Sequence, residues 1–521
     1  MKKIFTRIGL YFLFFWFARD CAMETEDVTI SSTLVLDRIP LQVSEEPSLI
    51  VEQDFLKGVA ISSFQAGGHP QTLKMERQSS VQSNWSEWEK TTVNFTAKNI
   101  GLTAKPAIAG GQKIGISADF YNHAFEDIKL LKLLGCNSLR FSVEWADVEP
   151  REGVFNEKVL SFYREFCEAL KENGIVPMVT LYHFVLPQWF VQKGGFEKRE
   201  NIDLFVRYSK KVFENLADLV PLWCTINEPG AVSACGYVLA IHPPGKLFSF
   251  ELAATVLINL LNAHVTLYYE LKKMPQGKNV KIGLAHNPLI FESYKYTLSL
   301  PLPYFKETQF SDPLSPLMSK YMTRIFAHDI TLAFFKTGKF EYPLPFGSKV
   351  IGTNNRAPNS FDFWGLNFYS RVTVAGVWTT HYPGQIMTDT HYAIQPERFY
   401  DAIVDAATLG KPIYITENGA AVGDDTKRSY FIRSYVQEMY RAKQEGYNIP
   451  GYYYWTLTDN FEWHEGFGKQ FGLFSVNFNN PLRPRTMRNS ALTFRDVIKI
   501  KEKTPDEKSG SFINSSSNQS L

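Results

Sequence analysis

The segment IYITENGA, residues 413–420, combines an apolar β-strand with a carboxylate at the strand's end. Its first four residues are apolar or β-branched and follow Lys411-Pro412, which is typical of a short buried strand. Glu417 comes next, and in α/β barrels and open α/β sheets the carboxyl ends of the strands carry the chemistry. A single glutamate in this position more often begins a solvated loop, so its functional interpretation depends on similar strand ends elsewhere in the chain.

Glu228 repeats this design directly after the apolar run 222–226. Eight such runs alternate with amphipathic helical stretches, an order that indicates repeated βα units. The sequence therefore predicts an α/β fold, a single (β/α)8 TIM barrel with long βα loops over residues 23–502. The predicted strands are residues 55–62, 138–142, 175–181, 222–226, 280–285, 361–366, 413–416 and 451–455.

The segments between these strands give helices and two long loops. In the helix predicted over 125–135, Phe125, Ile128, Leu131 and Leu134 share one face, which we expect to be buried. Residues 67–115 show little periodicity and predict a long irregular insertion, and a proline-rich segment up to about residue 316 predicts another loop. Further helices are predicted over residues 160–170, 205–220, 319–337 and 429–446.

The two ends of the sequence differ from the barrel region. Within residues 1–22, basic side chains precede an apolar run over 8–18, which resembles a signal peptide and is too short for a spanning helix. Arg19-Asp20 follows without a clean cleavage site, so we expect export or membrane association, with a cytoplasmic location as the alternative. Residues 503–521 are polar and predict a disordered tail. Glycosylation sequons begin at Asn84, Asn94, Asn514 and Asn518.

The composition argues against several classes of partner. A net charge of +2 gives no reason to expect nucleic acid. The five cysteines are widely spaced and odd in number, so a disulfide framework is not expected. No cofactor or metal is expected, because neither a glycine-rich phosphate loop nor a metal-ligand spacing is present in the sequence. Aromatic residues make up 15% of the chain, and aromatic-rich clefts suit sugar rings.

Polar or aromatic residues follow nearly every predicted strand, as in the active-site ring of a barrel enzyme. Two of them are carboxylates, and a pair of carboxylates in an aromatic-rich barrel favours glycoside hydrolysis, with a small carbohydrate as substrate. Only the fold can bring the two acids together, so the sequence leaves retaining and inverting geometry open. These residues are Gln65, Arg140, His183, Asn227, Glu228, Asn367, Tyr369, Glu417 and Trp455.

Two motifs resemble those of the family 1 glycoside hydrolases, the β-glucosidase and β-galactosidase group. CTINEP (224–229) matches the T-x-N-E-P motif, and ITENG (415–419) matches the I/V-T-E-N-G motif. The resemblance extends from about residue 55 to about residue 498. It implies that Glu228 is the acid/base, that Glu417 is the nucleophile, and that hydrolysis retains configuration through a covalent glycosyl-enzyme. The retaining mechanism predicts a carboxyl separation of about 5–5.5 Å.

The same resemblance implies roles for other residues. Arg140 and Tyr369 would contact the nucleophile, and an inward Arg140 would keep Glu417 ionised. An apolar site and the charge of Glu417 would raise the pKa of Glu228. The stretch WTLTDNFEWHEGF (455–467) matches the family's W-S-L-x-D-N-F-E-W segment. The residues implied to bind the sugar are Gln65, His183, Asn227, Trp455, Glu462 and Trp463.

The sequence also departs from the family pattern in ways that concern the substrate. The usual Q-x-E-G is Gln65-Ala66-Gly67-Gly68, and the usual H-W is His183-Phe184, which removes an indole donor near the sugar's 3-position. The insertion is more similar to the divergent branch with archaeal-type enzymes and plant galactolipid-remodelling enzymes. Glu462 argues against a 6-phospho-glycosidase, since it would repel the phosphate. A transglycosylase and a catalytically silent sugar-binding domain remain as alternatives.

Overall fold

A computed structural model describes residues 49–52, 54–67, 82–96, 99–298 and 308–500. The predicted N-terminal segment 1–22 and the predicted tail 503–521 lie outside these residues, as do the sequons at Asn514 and Asn518.

Eight parallel strands close into a barrel, each hydrogen-bonded to its neighbours in sequence order, with the eighth beside the first. The predicted (β/α)8 barrel is thus confirmed. All residues of the second, fourth, sixth, seventh and eighth strands are buried, because one face lines the barrel interior and the other packs against helices. The strands are β1 Leu56–Ala60, β2 Ser138–Ser142, β3 Val176–Tyr182, β4 Leu222–Asn227, β5 Lys281–His286, β6 Phe363–Phe368, β7 Ile413–Asn418 and β8 Gly451–Trp455.

Large side chains fill the barrel interior below the carboxyl ends of the strands. Met178, Cys224, Phe363, Tyr414 and Tyr453 form one buried cluster there. Such layers of packed side chains make a TIM barrel a core rather than a pore. The interior therefore supports a site at the upper face and leaves no channel through the barrel among these packed residues.

Helices surround the barrel. The longer ones are α1 Phe120–Leu133, α2 Glu157–Glu172, α3 Ile202–Leu216, α4 Phe250–Lys273, α5 Leu314–Ile325, α6 His328–Thr337, α7 Pro396–Ala407, α8 Asp425–Gln444 and α9 Asn489–Val497. Shorter ones are Ser63–Gly67, Asn84–Trp88, Trp145–Val148, Gln188–Gln192 and Pro229–Tyr237. Helix α4 is apolar and long enough to cross a membrane, but 72% of its most apolar window is buried within the protein, which makes it a core helix.

Two helix predictions need correction. The single helix expected over 319–337 is two helices, α5 and α6, because Ala327 between them adopts a left-handed conformation with φ 70°. Phe125 was expected on the buried face of α1 but is 43% exposed. Phe120, at the start of the helix, is buried against Phe166, and Phe125 reaches only the outer edge of the same ring.

The insertion is more regular than the sequence predicts. Its described part contains the helix Asn84–Trp88, an antiparallel hairpin of Thr92–Thr96 and Asn99–Pro106, and a 3₁₀ turn at Ala109–Gly111. The five-residue helix is too short to show a helical period, but both hairpin strands alternate polar and apolar side chains, so the strand signal is present in the sequence and the prediction overlooked it. The expected irregular loop is therefore wrong for this described part.

Small sheets complete the fold. The proline-rich segment contributes short strands instead of a plain loop, at Phe291–Ser293, Tyr296–Leu298 and Thr308–Phe310. Leu49–Val51 pairs in parallel with Ile498–Ile500, which brings the two ends of the described chain together. The remaining strands are Lys339–Pro343, Lys349–Thr353, Val372–Ala375, Trp378–Thr380, Phe474–Val476 and Arg485–Met487.

Candidate active site

Glu417 lies near the end of β7 with both carboxylate oxygens bound. Arg140 on β2 donates from Nη1 to Oε1 at 2.5 Å, and the Tyr369 hydroxyl donates to Oε2 at 2.6 Å. Glu417 is 3% exposed and Arg140 is 1% exposed, so the ion pair is buried. The pairing register between β6 and β7 shifts beside this residue, an irregularity that re-aims side chains next to active sites.

Glu228 follows β4 and begins the short helix Pro229–Tyr237. Its φ of 44° is unusual for a residue other than glycine, and strained backbone of this kind clusters at functional sites. Asn367 donates to Glu228 Oε1 at 2.7 Å, and Asn287 lies 3.5 Å from Oε2. The backbone conformation and the two amides thus fix the Glu228 carboxyl above the barrel.

The two glutamates have opposite electrostatic surroundings. Burial, and after it the negative charge of Glu417, raises the pKa of Glu228 to about 8, although the Asn367 and Asn287 amides oppose this shift. Glu417 instead pairs with the Arg140 guanidinium. At neutral pH the site therefore combines a protonated Glu228 with a Glu417 that is bound by a cation, an arrangement that suits the acid and the nucleophile of glycoside cleavage.

A hydrogen-bond network joins the two glutamates. Asn227 accepts from Arg140 Nη2 at 2.7 Å and from the Asn367 amide at 3.1 Å. Asn367 in turn accepts from the Thr416 hydroxyl at 2.7 Å, and Thr180 accepts from Arg140 Nε at 3.1 Å. This network sets the orientation of both carboxyls relative to one another.

Residues of the predicted sugar-binding set form the adjoining wall. Gln65 donates to Glu462 Oε2 at 3.1 Å, and Asn227 contacts His183 Nε2 at 3.2 Å. The His183 ring stacks at 5.9 Å from Trp455 and at 6.0 Å from Trp463. Burial, and after it the charge of Arg140, holds the pKa of His183 well below its usual value, so the imidazole is neutral. Nine of the eleven predicted site residues are linked through these contacts, and the Gln65–Glu462 pair adjoins them because Glu462 precedes Trp463 in the chain.

Two polar groups of this wall are suited to a neutral sugar. Gln65 Oε1 is buried, and no residue that the structure describes donates to it. Burial, and after it the charge of Glu417, raises the pKa of Glu462 to about 8. A free amide oxygen and an adjacent carboxyl can accept hydrogen bonds from sugar hydroxyls.

Some site residues were not identified from the sequence. Thr180 and Thr416 lie within apolar strands and give no signal beyond strand propensity. Asn287 directly follows β5, so its place at a strand end was the available signal. Among the described residues, no group of three or more His, Cys, Asp or Glu side chains could hold a metal ion.

Aromatic residues from three loops surround Trp463. Trp85, from the insertion helix, lies 4.5 Å from the Trp463 ring, and Phe184, after β3, lies 5.1 Å from it. His242 lies 5.0 Å from Trp85 and 6.2 Å from Trp463. The insertion therefore takes part in the wall of the site.

The chain is similar to known proteins over most of its length. The model of glycosyl hydrolase family 1 matches residues 49–296 and 355–503. The chain is 32% identical to beta-glucosidase A of Acetivibrio thermocellus, over 86% of this chain and 98% of that protein.

Two solved structures share the fold over most of their length. The beta-glucosidase from Thermotoga maritima in complex with glucoimidazole has a TM-score of 0.72 at 29% identity, covering 85% of this chain and 98% of that one. The beta-glycosidase from Pyrococcus horikoshii has a TM-score of 0.68 at 30% identity, and the alignment covers 86% of this chain and 95% of that one. The chain therefore belongs to glycosyl hydrolase family 1, whose members are retaining O-glycosyl hydrolases.

Proposed function

We propose that this enzyme removes a terminal, neutral β-linked sugar, a β-D-glucosyl residue in the first instance, with Glu417 as nucleophile and Glu228 as acid/base. The observation that carries this proposal is the unequal pair of carboxyls. Arg140 and Tyr369 bind both oxygens of Glu417, while the pKa of Glu228 is raised to about 8. The relatives named beta-glucosidase support glucose as the first sugar to test.

In the first step Glu228 gives its proton to the glycosidic oxygen while a Glu417 carboxylate oxygen attacks the anomeric carbon. The bond between that carbon and the leaving oxygen breaks, the aglycone departs as an alcohol, and a glycosyl ester of Glu417 forms. Tyr369 and Arg140 orient the carboxylate for this attack through their hydrogen bonds.

In the second step Glu228 acts as the base. Forming the ester removes the negative charge of Glu417, which is one of the two causes of the raised pKa of Glu228. Glu228, now ionised, takes a proton from water as the water oxygen attacks the anomeric carbon. The ester bond breaks, Glu417 regains its charge, and the sugar leaves with its original configuration.

The sugar-binding wall favours an unphosphorylated sugar. Gln65 Oε1 and the Glu462 carboxyl can both accept hydrogen bonds from the hydroxyl groups of a sugar. Burial and the nearby charge of Glu417 already disfavour a negative charge on Glu462, and they would disfavour an ionised phosphate at this place for the same reasons. A 6-phospho-sugar is therefore a poor candidate, although a 6-phospho-beta-galactosidase of Clostridium acetobutylicum is 27% identical to this chain.

The test uses a panel of p-nitrophenyl β-glycosides with wild type, Glu417→Gly, Glu228→Ala and the exposed control Glu341→Ala. We expect wild type and Glu341→Ala to release p-nitrophenol at similar rates. Glu417→Gly should lose activity and recover it with azide, giving an α-glycosyl azide, because azide then attacks the face that Glu417 occupied. Glu228→Ala should lose less activity on substrates with activated leaving groups than on substrates with poor ones, because an activated leaving group departs without receiving a proton.

Three results would contradict the proposal. If wild type released p-nitrophenol from no β-glycoside, hydrolysis as the main activity would be rejected. If Glu417→Gly hydrolysed the substrates at the wild-type rate, the assignment of Glu417 as nucleophile would be rejected. An experimental carboxyl separation near 8 or 9 Å would reject the covalent mechanism, which predicts about 5–5.5 Å. Product analysis with added alcohols or sugars distinguishes the transglycosylase, since transfer products would then exceed the free sugar.

A further inference from the structure

The insertion helix Asn84–Trp88 is fixed to the loop that follows β3. Asn84 Nδ2 donates to the Phe184 carbonyl at 2.9 Å, and Asn84 Oδ1 accepts from the Leu186 amide at 2.8 Å. Further along the insertion, Gln112 Oε1 accepts from the Phe467 amide at 2.7 Å, in the loop that carries Trp463. The insertion thus connects two loops of the sugar-binding wall and holds the helix in one position against them.

Trp85 packs its ring against the aromatic part of the wall. Its ring is 2% exposed and lies 4.5 Å from Trp463 at an interplanar angle of 41°. Phe184 packs against Trp463 from the neighbouring loop, but a phenyl ring has no hydrogen-bond donor. Trp85 therefore places an indole ring, which carries an N–H, against the part of the wall where Phe184 has no donor.

The indole N–H of Trp85 lacks a partner in the protein. Nε1 is buried, and no residue that the structure describes accepts a hydrogen bond from it. A buried donor without an acceptor is costly and in native proteins calls for an explanation, such as a bound ligand. A sugar hydroxyl beside Trp463 would supply the missing acceptor.

We propose that Trp85 is a specificity-determining residue whose indole N–H donates a hydrogen bond to one hydroxyl of the bound sugar. The proposal rests on the proposed function, because it takes Trp463 as part of the sugar-binding wall. It goes beyond that function by assigning a sugar contact to the insertion. A substrate that lacks or inverts this hydroxyl would leave the N–H unpaired, so Trp85 would discriminate between sugars.

The test compares Trp85→Phe with Trp88→Phe. Trp88 lies on the same helix, is 6% exposed and also has an indole N–H without a partner among the described residues, but it packs its ring against Gly245. Both variants keep an aromatic ring and remove one N–H. The readouts are kcat/KM on p-nitrophenyl β-D-glucoside and on its monodeoxy analogues, and the Kd of deoxynojirimycin, a sugar-shaped inhibitor.

We expect Trp85→Phe to lower kcat/KM on the parent glucoside about tenfold, the value of one hydrogen bond, with Trp88→Phe within about twofold of wild type. The loss should vanish for the one analogue that lacks the partner hydroxyl. An equal loss on every analogue would show a packing role and overturn the proposal, as would an equal loss in Trp88→Phe.

The inhibitor titration separates this proposal from the proposed function. If wild type cleaved no glycoside, hydrolysis would be rejected, yet the Kd comparison would still decide the role of Trp85. A Kd about tenfold weaker in Trp85→Phe and unchanged in Trp88→Phe would support the contact. A Kd unchanged in both variants would overturn it.

Discussion

At the scale of single residues, the site uses one side-chain type for two tasks. Glu228 and Glu417 differ only in their surroundings. Glu228 is buried and accepts a hydrogen bond from an amide, while a guanidinium and a phenol donate to Glu417. Desolvation favours the neutral form of an unpaired carboxyl, and an adjacent cation favours the charged form. The environment therefore decides which carboxyl starts as acid and which as nucleophile.

This difference predicts the pH dependence of activity. Glu228 must be protonated to act as acid, so activity is present below its pKa of about 8 and is lost as the pH rises through that value. We expect kcat/KM on a glucoside with a poor leaving group to fall about tenfold per pH unit above this point. Rate measurements between pH 5 and pH 10 provide the check.

Glu228→Gln serves as the control for this prediction. With a dinitrophenyl glucoside, whose leaving group needs no proton, this variant should turn over without the alkaline fall. An alkaline fall that persists in Glu228→Gln would assign the titration to another group. A fall centred near the usual carboxyl pKa in wild type would show that the pKa of Glu228 is not raised.

At the scale of elements, the Asn84 side chain helps to attach the insertion helix to the loop after β3, beside a backbone hydrogen bond from the Asn84 amide to the Leu186 carbonyl. The side chain makes two hydrogen bonds to this loop, to the Phe184 carbonyl and from the Leu186 amide. We expect Asn84→Ala to cost about 1–3 kcal/mol locally, because both loop groups lose their partner. Hydrogen exchange at the Leu186 amide should become at least about tenfold faster.

Glu87→Gln is the matched control on the same helix. Glu87 pairs at the surface with Lys90, and surface ion pairs of this kind contribute little. Exchange at Leu186 should therefore stay at the wild-type rate in Glu87→Gln. Unchanged exchange in Asn84→Ala would mean that the helix is held by its tryptophans rather than by this amide.

At the scale of the whole molecule, Lys57 joins the first barrel strand to the end of the described chain. Its Nζ donates to the carbonyls of Arg495 at 2.7 Å and Ile498 at 3.0 Å, and the residue is 2% exposed. Burial lowers the pKa of Lys57 from 10.5 to about 8. The folded protein therefore loses this proton at a lower pH than the unfolded chain does.

The sign of the resulting pH dependence follows from proton binding. Between pH 8 and pH 10.5 the unfolded chain keeps the proton that the folded protein has lost, so the Lys57 contribution to the free energy of unfolding increases with pH. The slope is at most about 1.4 kcal/mol per pH unit. We expect wild type to gain stability relative to Lys57→Met over this window in denaturant titrations.

Lys90→Met provides the comparison, since Lys90 is an exposed lysine whose side chain is 52% accessible. The difference between wild type and Lys90→Met should not vary with pH over the same window. A flat difference for Lys57→Met as well would mean that the buried lysine keeps its proton through rearrangement of the surrounding carbonyls.

The sequence predicts the barrel better than its loops. Each barrel strand is a run of apolar residues bounded by turn signals, and such local patterns remain readable when both faces are buried. The insertion helix is too short for a helical period, the alternation in its hairpin was overlooked, and Ala327 gives no sign of the left-handed turn that divides α5 from α6. Phe125 has the spacing of a core residue, but Phe120 occupies the inner position.

By itself, the sequence determined the fold class, the family resemblance and the identity of the eleven candidate site residues, because motifs at strand ends are local in the chain. Only the tertiary structure decided how these residues meet. The Arg140–Glu417 pair, the burial that raises the pKa of Glu228 and the approach of Trp85 to Trp463 join segments far apart in sequence. Contacts of that kind depend on barrel closure and loop packing, which leave no periodic trace in the residues themselves.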